Sequence, residues 1–193
     1  MVPNGWSKLS LKKLLTLNYG KSPKEIIDEN GAYDIVGTGG ITGSTNKYLH
    51  SEPSVIIGRK GTIDKPQYLD KPFWAIDTTF YCVPIDNNKV DIKWFYQYSK
   101  LINWRNYNEA SGVPSLSRET IYAIQVATPP ITEQREIVKT LSTWDKAIST
   151  TERLIDNSTQ QKKALMQQLL TGKKRLLDES GKRFEGEWEE LTF

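Results

Sequence analysis

At 193 residues the chain has room for one ordinary domain plus an appendage, and a 37% hydrophobic content is enough to build a core. A net charge of +3 is too small an excess to argue by itself for a polyanionic partner, so the weight falls on where the cations lie. One cysteine, Cys82, leaves no disulfide and no thiolate metal cluster; there is no apolar leader and no run of about 18 apolar residues, which together imply a cytoplasmic protein with no membrane partner.

In chain order, Lys8 to Leu17 is expected to form a short helix. Tyr33–Val36, Ser54–Ile57 and Phe73 to Val83 then read as strands, because β-branched and aromatic residues run between turn signals. Gly37–Ser44 and Gly58–Thr62 read as loops, where glycine supplies backbone freedom. From Asp91 onward Trp94, Phe95, Tyr98, Leu101 and Ile102 recur at helical spacing, and Ala123–Ala127 reads as a further strand. Cys82 sits in the apolar run Phe80–Val83 and is expected to be a buried small hydrophobe. The predicted fold class is α+β: a mixed-strand globular domain over residues 1–130, followed by one long coiled-coil-forming helix over 131–172 and a tail over 173–193.

Helix signals bracket the long segment. Thr132 is the expected N-cap, Glu133 and Glu136 place negative charge in the first turn, and Thr171-Gly172 followed by Lys173, Lys174 and Arg175 marks the stop. Alternating steps of four and three from Ile137 give Ile137, Leu141, Trp144, Ile148, Thr151, Ile155, Ser158, Lys162, Leu165 and Leu169, mostly apolar, as in a coiled-coil seam. Such a stripe needs a partner, either its own domain or an equivalent helix, parallel or antiparallel. The length of the helix and the prolines before it favour an equivalent helix.

No reaction is asked for by the motifs. Gly37–Gly43 resembles a cofactor loop but carries Thr42 where Gly-x-Gly-x-x-Gly needs its last glycine, and no repeated βαβ pattern surrounds it. His50 is the only histidine and reads as polar surface, Asp64, Asp70, Asp77 and Asp86 are scattered, and Thr128–Ile131 lacks the polar lead and aromatic close of an amino-methyltransferase motif. The chain also echoes itself: Trp188-Glu189-Glu190-Leu191-Thr192-Phe193 repeats the pattern of Trp6-Ser7-Lys8-Leu9-Ser10-Leu11, as if a second unit began there.

Pro129-Pro130-Ile131-Thr132-Glu133-Gln134-Arg135-Glu136-Ile137-Val138 and Leu169-Leu170-Thr171-Gly172-Lys173-Lys174-Arg175-Leu176 resemble the opening and close of the central conserved helix in specificity subunits of type I restriction–modification enzymes. Val36–Gly43, Ile56–Gly61 and Gly112–Ser117 fall where that family's target-recognition domain has similar loops. Members of the family are usually about twice this length, with two recognition domains on two antiparallel helices, so the chain looks like a half-subunit, natural or truncated. The resemblance implies a non-catalytic DNA reader of one half of a split site. S-adenosylmethionine and ATP would belong to partner subunits and not to this chain. The implied partners are double-stranded DNA, a second copy or second specificity half, modification subunits and, indirectly, restriction subunits. The alternatives are a coiled-coil adaptor that binds protein and the recognition fragment of a fused restriction–methylation enzyme.

Reading DNA needs donors and acceptors for base edges and cations for the flanking phosphates. Thr42, Ser44, Thr45, Asn46 and Lys47 offer hydroxyls, an amide and a cation; Arg59, Lys60 and Thr62 lie in the second loop; Ser111, Ser115 and Arg118 flank the third. Arg59 suits either a guanine or a phosphate. The pairing residues on the helix are Ile137, Leu141, Trp144, Ile148, Ile155, Leu165 and Leu169.

Overall fold

The computed structural model describes residues 2–186; the Trp188 echo lies outside the described residues. Nine strands and three α-helices follow one another in the order β1 (Ser7–Ser10), β2 (Leu15–Tyr19), β3 (Tyr33–Gly37), β4 (Gly40–Thr45), β5 (Ser54–Gly58), β6 (Gln67–Leu69), β7 (Phe73–Ala75), β8 (Thr79–Pro84), α1 (Ile92–Ser99), α2 (Arg118–Ala123), β9 (Gln125–Thr128) and α3 (Ile131–Leu170), among the described residues. This is an α+β fold with a long C-terminal helix, as the strand and helix periodicities predict.

The strands form three small sheets. β2-β8-β5-β6 is antiparallel throughout, β4-β3-β7 is mixed because β3 and β7 run parallel, and β1 pairs with β9. The main core gathers Leu15 and Leu17 of β2, Val55 and Ile57 of β5, Phe80 and Cys82 of β8, Trp94 and Phe95 of α1, and Ile121 of α2. β5 is buried along its whole length, which explains its unbroken apolar run. Cys82 is fully buried, and desolvation drives its thiol far above the ordinary range.

The expected helix over Lys8–Leu17 is instead two strands around a 3-10 turn at Leu11–Lys13. Leu15 and Leu17 alternate with exposed Thr16, a period of two that β8 rewards with a paired edge. Phe73 to Val83 is broken into β7 and β8 by a turn in which Thr79 donates, from its amide and its hydroxyl, to the Ile76 carbonyl. Gly37–Ser44 is a hairpin and not a loop. Thr38-Gly39 turns the chain, Gly40 takes φ +130°, and β4 returns along β3 with a register shift opposite Ile35 and Val36. Asp91 caps α1 by accepting from Lys93 and Trp94 amides, but the helix ends at Ser99 and leaves Leu101 81% exposed.

The start of α3 is held by side chains. Thr132 lies inside the first turn, since the ladder opens with the Gln134 amide donating to the Pro130 carbonyl. Gln134 is fully buried. Its Oε1 accepts from the Asp91 amide at 2.9 Å and its Nε2 donates to the carbonyls of Lys89 and Pro129, each at 2.9 Å. Next to it Glu133 accepts from the Trp6 indole at 3.1 Å. The Glu-Gln of the helix signature thus ties the helix to the α1 loop and to the chain's first residues. Two compact units result, one through Thr140 and one from Leu141, with α3 contributing to each. In the second, Leu177 and Arg183 pair across a turn in which Asp178 accepts from the amides of Ser180 and Lys182.

Candidate nucleic-acid interface

Two of the three loops expected to carry the function meet. The Gly61 amide donates to the Pro114 carbonyl at 2.9 Å, the Leu116 amide donates to the Arg59 carbonyl at 2.9 Å, and Lys60 bridges to Ser115. Gly58 lets the first of these loops close on itself: a Cβ there would lie 2.0 Å from the Thr62 carbonyl oxygen. Gly61 takes φ +92°.

The third loop, around Ser111–Ser117, is braced from within. Asn108 Oδ1 accepts from the amides of Ser115 at 2.8 Å and Ala110 at 3.2 Å, and its Nδ2 donates to the Ala110 carbonyl at 2.6 Å. Ser117 caps α2 by accepting from the Thr120 amide, and the Thr120 hydroxyl donates to Glu109. Hydrogen bonds from Thr120 and then Ser117 hold the Glu109 carboxyl below its ordinary range. The Arg118–Glu119 start of α2 is therefore fixed by its own neighbours.

Tyr19, which nothing in the local pattern singles out, stands where these pieces converge. It ends β2 opposite Phe80, with the two rings 4.9 Å apart. The guanidinium carbons of Arg59 and Arg118 each lie 5.3 Å from its ring centroid. The Tyr122 hydroxyl accepts from the Leu17 amide at 2.9 Å, which docks α2 on β2 and brings Arg118 to Tyr19. Arg59 also donates from Nη1 to the Asp77 carbonyl at 3.1 Å, and Arg118 Nε lies 3.7 Å from Glu119. Arg118 lines an open groove of about 550 Å³ together with Ser10, Lys12, Glu119, Tyr122 and Ala123.

The first predicted group lies on β4 and just after it, and most of its polar atoms have structural employment. Thr42 donates to the Ile35 carbonyl at 3.2 Å, and Ser44 donates to the Asp28 carbonyl at 2.7 Å. Asn46 accepts from the Ala32 amide and donates to the Asp28 carboxylate at 2.6 Å. Thr45 is fully buried and accepts from the Lys47 amide, while Lys47 itself is exposed. Thr62 is half-buried and Ser111 exposed. Asp28 is the missed organiser, since it gathers Ser44 and Asn46 from far along the chain.

The predicted seam of α3 divides. Ile137 packs against the main core, and Leu169 lines a small pocket with Lys174, Arg175, Leu176 and Phe184. Between them Trp144 is 67% exposed, Ile148 56% and Ile155 62%; Leu141 and Leu165 are exposed as well. Leu154, Met166 and Leu170, which a strict seam passes over, are also exposed. His50, expected at the surface, is half-buried against Phe73 and Tyr81, with ring centroids at 5.9 and 5.4 Å, and its buried Nε2 has no hydrogen-bond partner among the described residues. Among the described residues no helix is long and apolar enough to cross a membrane.

The family model described as the type I restriction modification DNA specificity domain matches residues 3–158. The chain is 25% identical over 183 residues to the type I restriction enzyme MjaVIII specificity subunit of Methanocaldococcus jannaschii, covering 88% of this chain and 43% of that protein. It is 23% identical over 170 residues to the EcoDI specificity subunit of Escherichia coli, covering 88% and 38%. The fold is similar to the crystal structure of a type I restriction–modification S subunit from M. genitalium, with a TM-score of 0.71 and 19% identity over 87% of this chain and 47% of that one. The chain thus spans less than half the length of the curated relatives it matches. With the domain model running through the sheets, the joined loops and more than half of α3, the chain belongs to the type I restriction modification DNA specificity domain family.

Proposed function

We propose that the chain is a non-catalytic DNA-sequence-specificity subunit that reads one half of a split site through residues 1–130. Its helix, residues 131–172, pairs with an equivalent helix, from a second copy or a second specificity half. The subunit works with modification subunits, and indirectly with restriction subunits, that supply the S-adenosylmethionine and ATP chemistry, and it acts in the cytoplasm. The observation that carries this reading is the junction of the Arg59–Gly61 and Pro114–Leu116 loops beside Tyr19. Cations and hydroxyls remote in sequence are held on one braced platform, which is what a reader needs to present a fixed pattern to DNA. Membership in the specificity-domain family supports the same reading.

The pairing part is supported by the exposed Trp144, Ile148 and Ile155 on a 40-residue helix. Large apolar side chains in one contiguous stripe mark a surface that another chain covers. The test is titration of duplex DNA at several salt concentrations, with and without a modification subunit. Binding that weakens steeply with salt is expected. Flat, negligible binding in both arms rejects the reading and favours the protein-binding adaptor.

A further inference from the structure

The cations at Tyr19 and in the groove beside it form one group. Arg59, on the loop after β5, and Arg118, at the start of α2, both stand 5.3 Å from the ring centroid, so their guanidinium carbons are separated by no more than twice that distance. Arg118 also opens onto the groove that holds Lys12 and the Ser10 hydroxyl. Three positive side chains from three separate segments are therefore linked, Arg59 and Arg118 by the Tyr19 ring and Arg118 and Lys12 by the groove they both line, together with the acidic Glu119.

Arg59 is poorly set for reading a base. One of its terminal nitrogens is committed to the Asp77 carbonyl, and its guanidinium is held at the Tyr19 ring. Such a cation presents positive charge at a fixed place without the reach of a bidentate probe, which suits a phosphate. The Arg118–Glu119 contact is a long, solvent-exposed pair, and such pairs are weak enough for a phosphate to displace the carboxylate.

Building on the DNA-reading function proposed above, we infer that Arg59, Arg118 and Lys12 form a phosphate clamp along one DNA strand, with Tyr19 as its positioning residue. Tyr19 is 44% exposed, and its ring is the contact that the first two cations share. The clamp sets the register of the duplex on the domain and leaves base reading to the neighbouring side chains of the joined loops. Neither Tyr19 nor Lys12 belongs to a glycine loop, and the docking of α2 on β2 brings Arg118 to Tyr19 and to the groove that Lys12 lines.

The test uses the full chain and a random-sequence duplex, with the affinity measured by fluorescence anisotropy over a series of salt concentrations. Arg59→Gln, Arg118→Gln and Lys12→Gln are each expected to weaken binding evenly across sequences and to lower the slope of log affinity against log salt by about one. Tyr19→Phe is expected to retain the wild-type slope. Tyr19→Leu, which removes no charge, is expected to lower it, with unfolding midpoints confirming that both variants are folded. Lys24→Gln, an exposed cation outside this group, is expected to leave the slope unchanged. Wild-type binding with a salt slope that the three charge variants do not alter would overturn the clamp and leave the DNA-reading function standing. Equal loss in Tyr19→Phe and Tyr19→Leu would overturn the positioning role of the ring. Absence of any salt-dependent binding by wild type, with a modification subunit present as well as without one, would overturn the DNA-reading function and the clamp together.

Discussion

Gln134 is the residue on which the junction of domain and helix depends most. Its amide satisfies one backbone donor and two backbone acceptors, and it is fully buried. Gln134→Leu keeps the volume and leaves those groups without partners, so a loss of about 1–3 kcal/mol in unfolding free energy is expected by chemical denaturation. An unchanged midpoint would show that water replaces the amide. His50 bears on pH. Burial holds its imidazole below the ordinary value of 6.5, with Glu52 pulling part of the way back. The unfolded chain takes up the proton first as pH falls, so stability declines from about pH 6.5 downward, and His50→Gln removes that part of the decline. Glu52, Asp91, Tyr68, Lys93 and Arg135 line the same groove, so the comparison is with wild type across one pH series. Identical slopes in the two proteins would reject the assignment.

Among the elements, the loop after β5 and the helix α3 make opposite demands. Gly58 is needed for space and not for a positive φ, because a methyl group would meet the Thr62 backbone. Gly58→Ala is therefore expected to destabilise the fold by about 1–3 kcal/mol, read as a lowered unfolding midpoint. In α3 the exposed stripe contributes little to the single chain. Leu141→Asp with Ile148→Asp is expected to abolish self-association in sedimentation and to leave the unfolding of the globular unit unchanged. A wild-type protein that stays monomeric at high concentration would count against pairing. The element scale also marks where local pattern misleads. Leu11, Leu14, Leu15 and Leu17 are spaced as on a helix face, yet β8 offers Leu15–Tyr19 a paired edge, and tertiary pairing outweighs weak local propensity.

At the scale of the whole molecule, the recognition domain and pairing helix proposed above would make half of a two-fold object. If two copies pair antiparallel, the domains face a duplex in opposite senses, and a two-fold reader selects a two-fold site. Selection of bound duplexes by the complex with a modification subunit is expected to return inverted half-sites around an unread spacer. A single uninterrupted asymmetric site would reject that arrangement.

The α+β class, the long helix and its apolar stripe were legible in the sequence, because periodicity along one segment records which face must be covered. The family was legible in the Pro129–Val138 signature for a related reason, since Glu133 and Gln134 make their contacts from fixed places in the helix's first turn. Tertiary structure alone decided which polar side chains are available. Thr45 and Asn46 look as suitable for reading DNA as Arg59, until burial and the contacts with Asp28 engage them within the fold. Tyr19 and Lys12 carry no local signal, and they join Arg59 and Arg118 only through the pairing of β2 with β8 and the docking of α2, contacts between segments far apart in the chain.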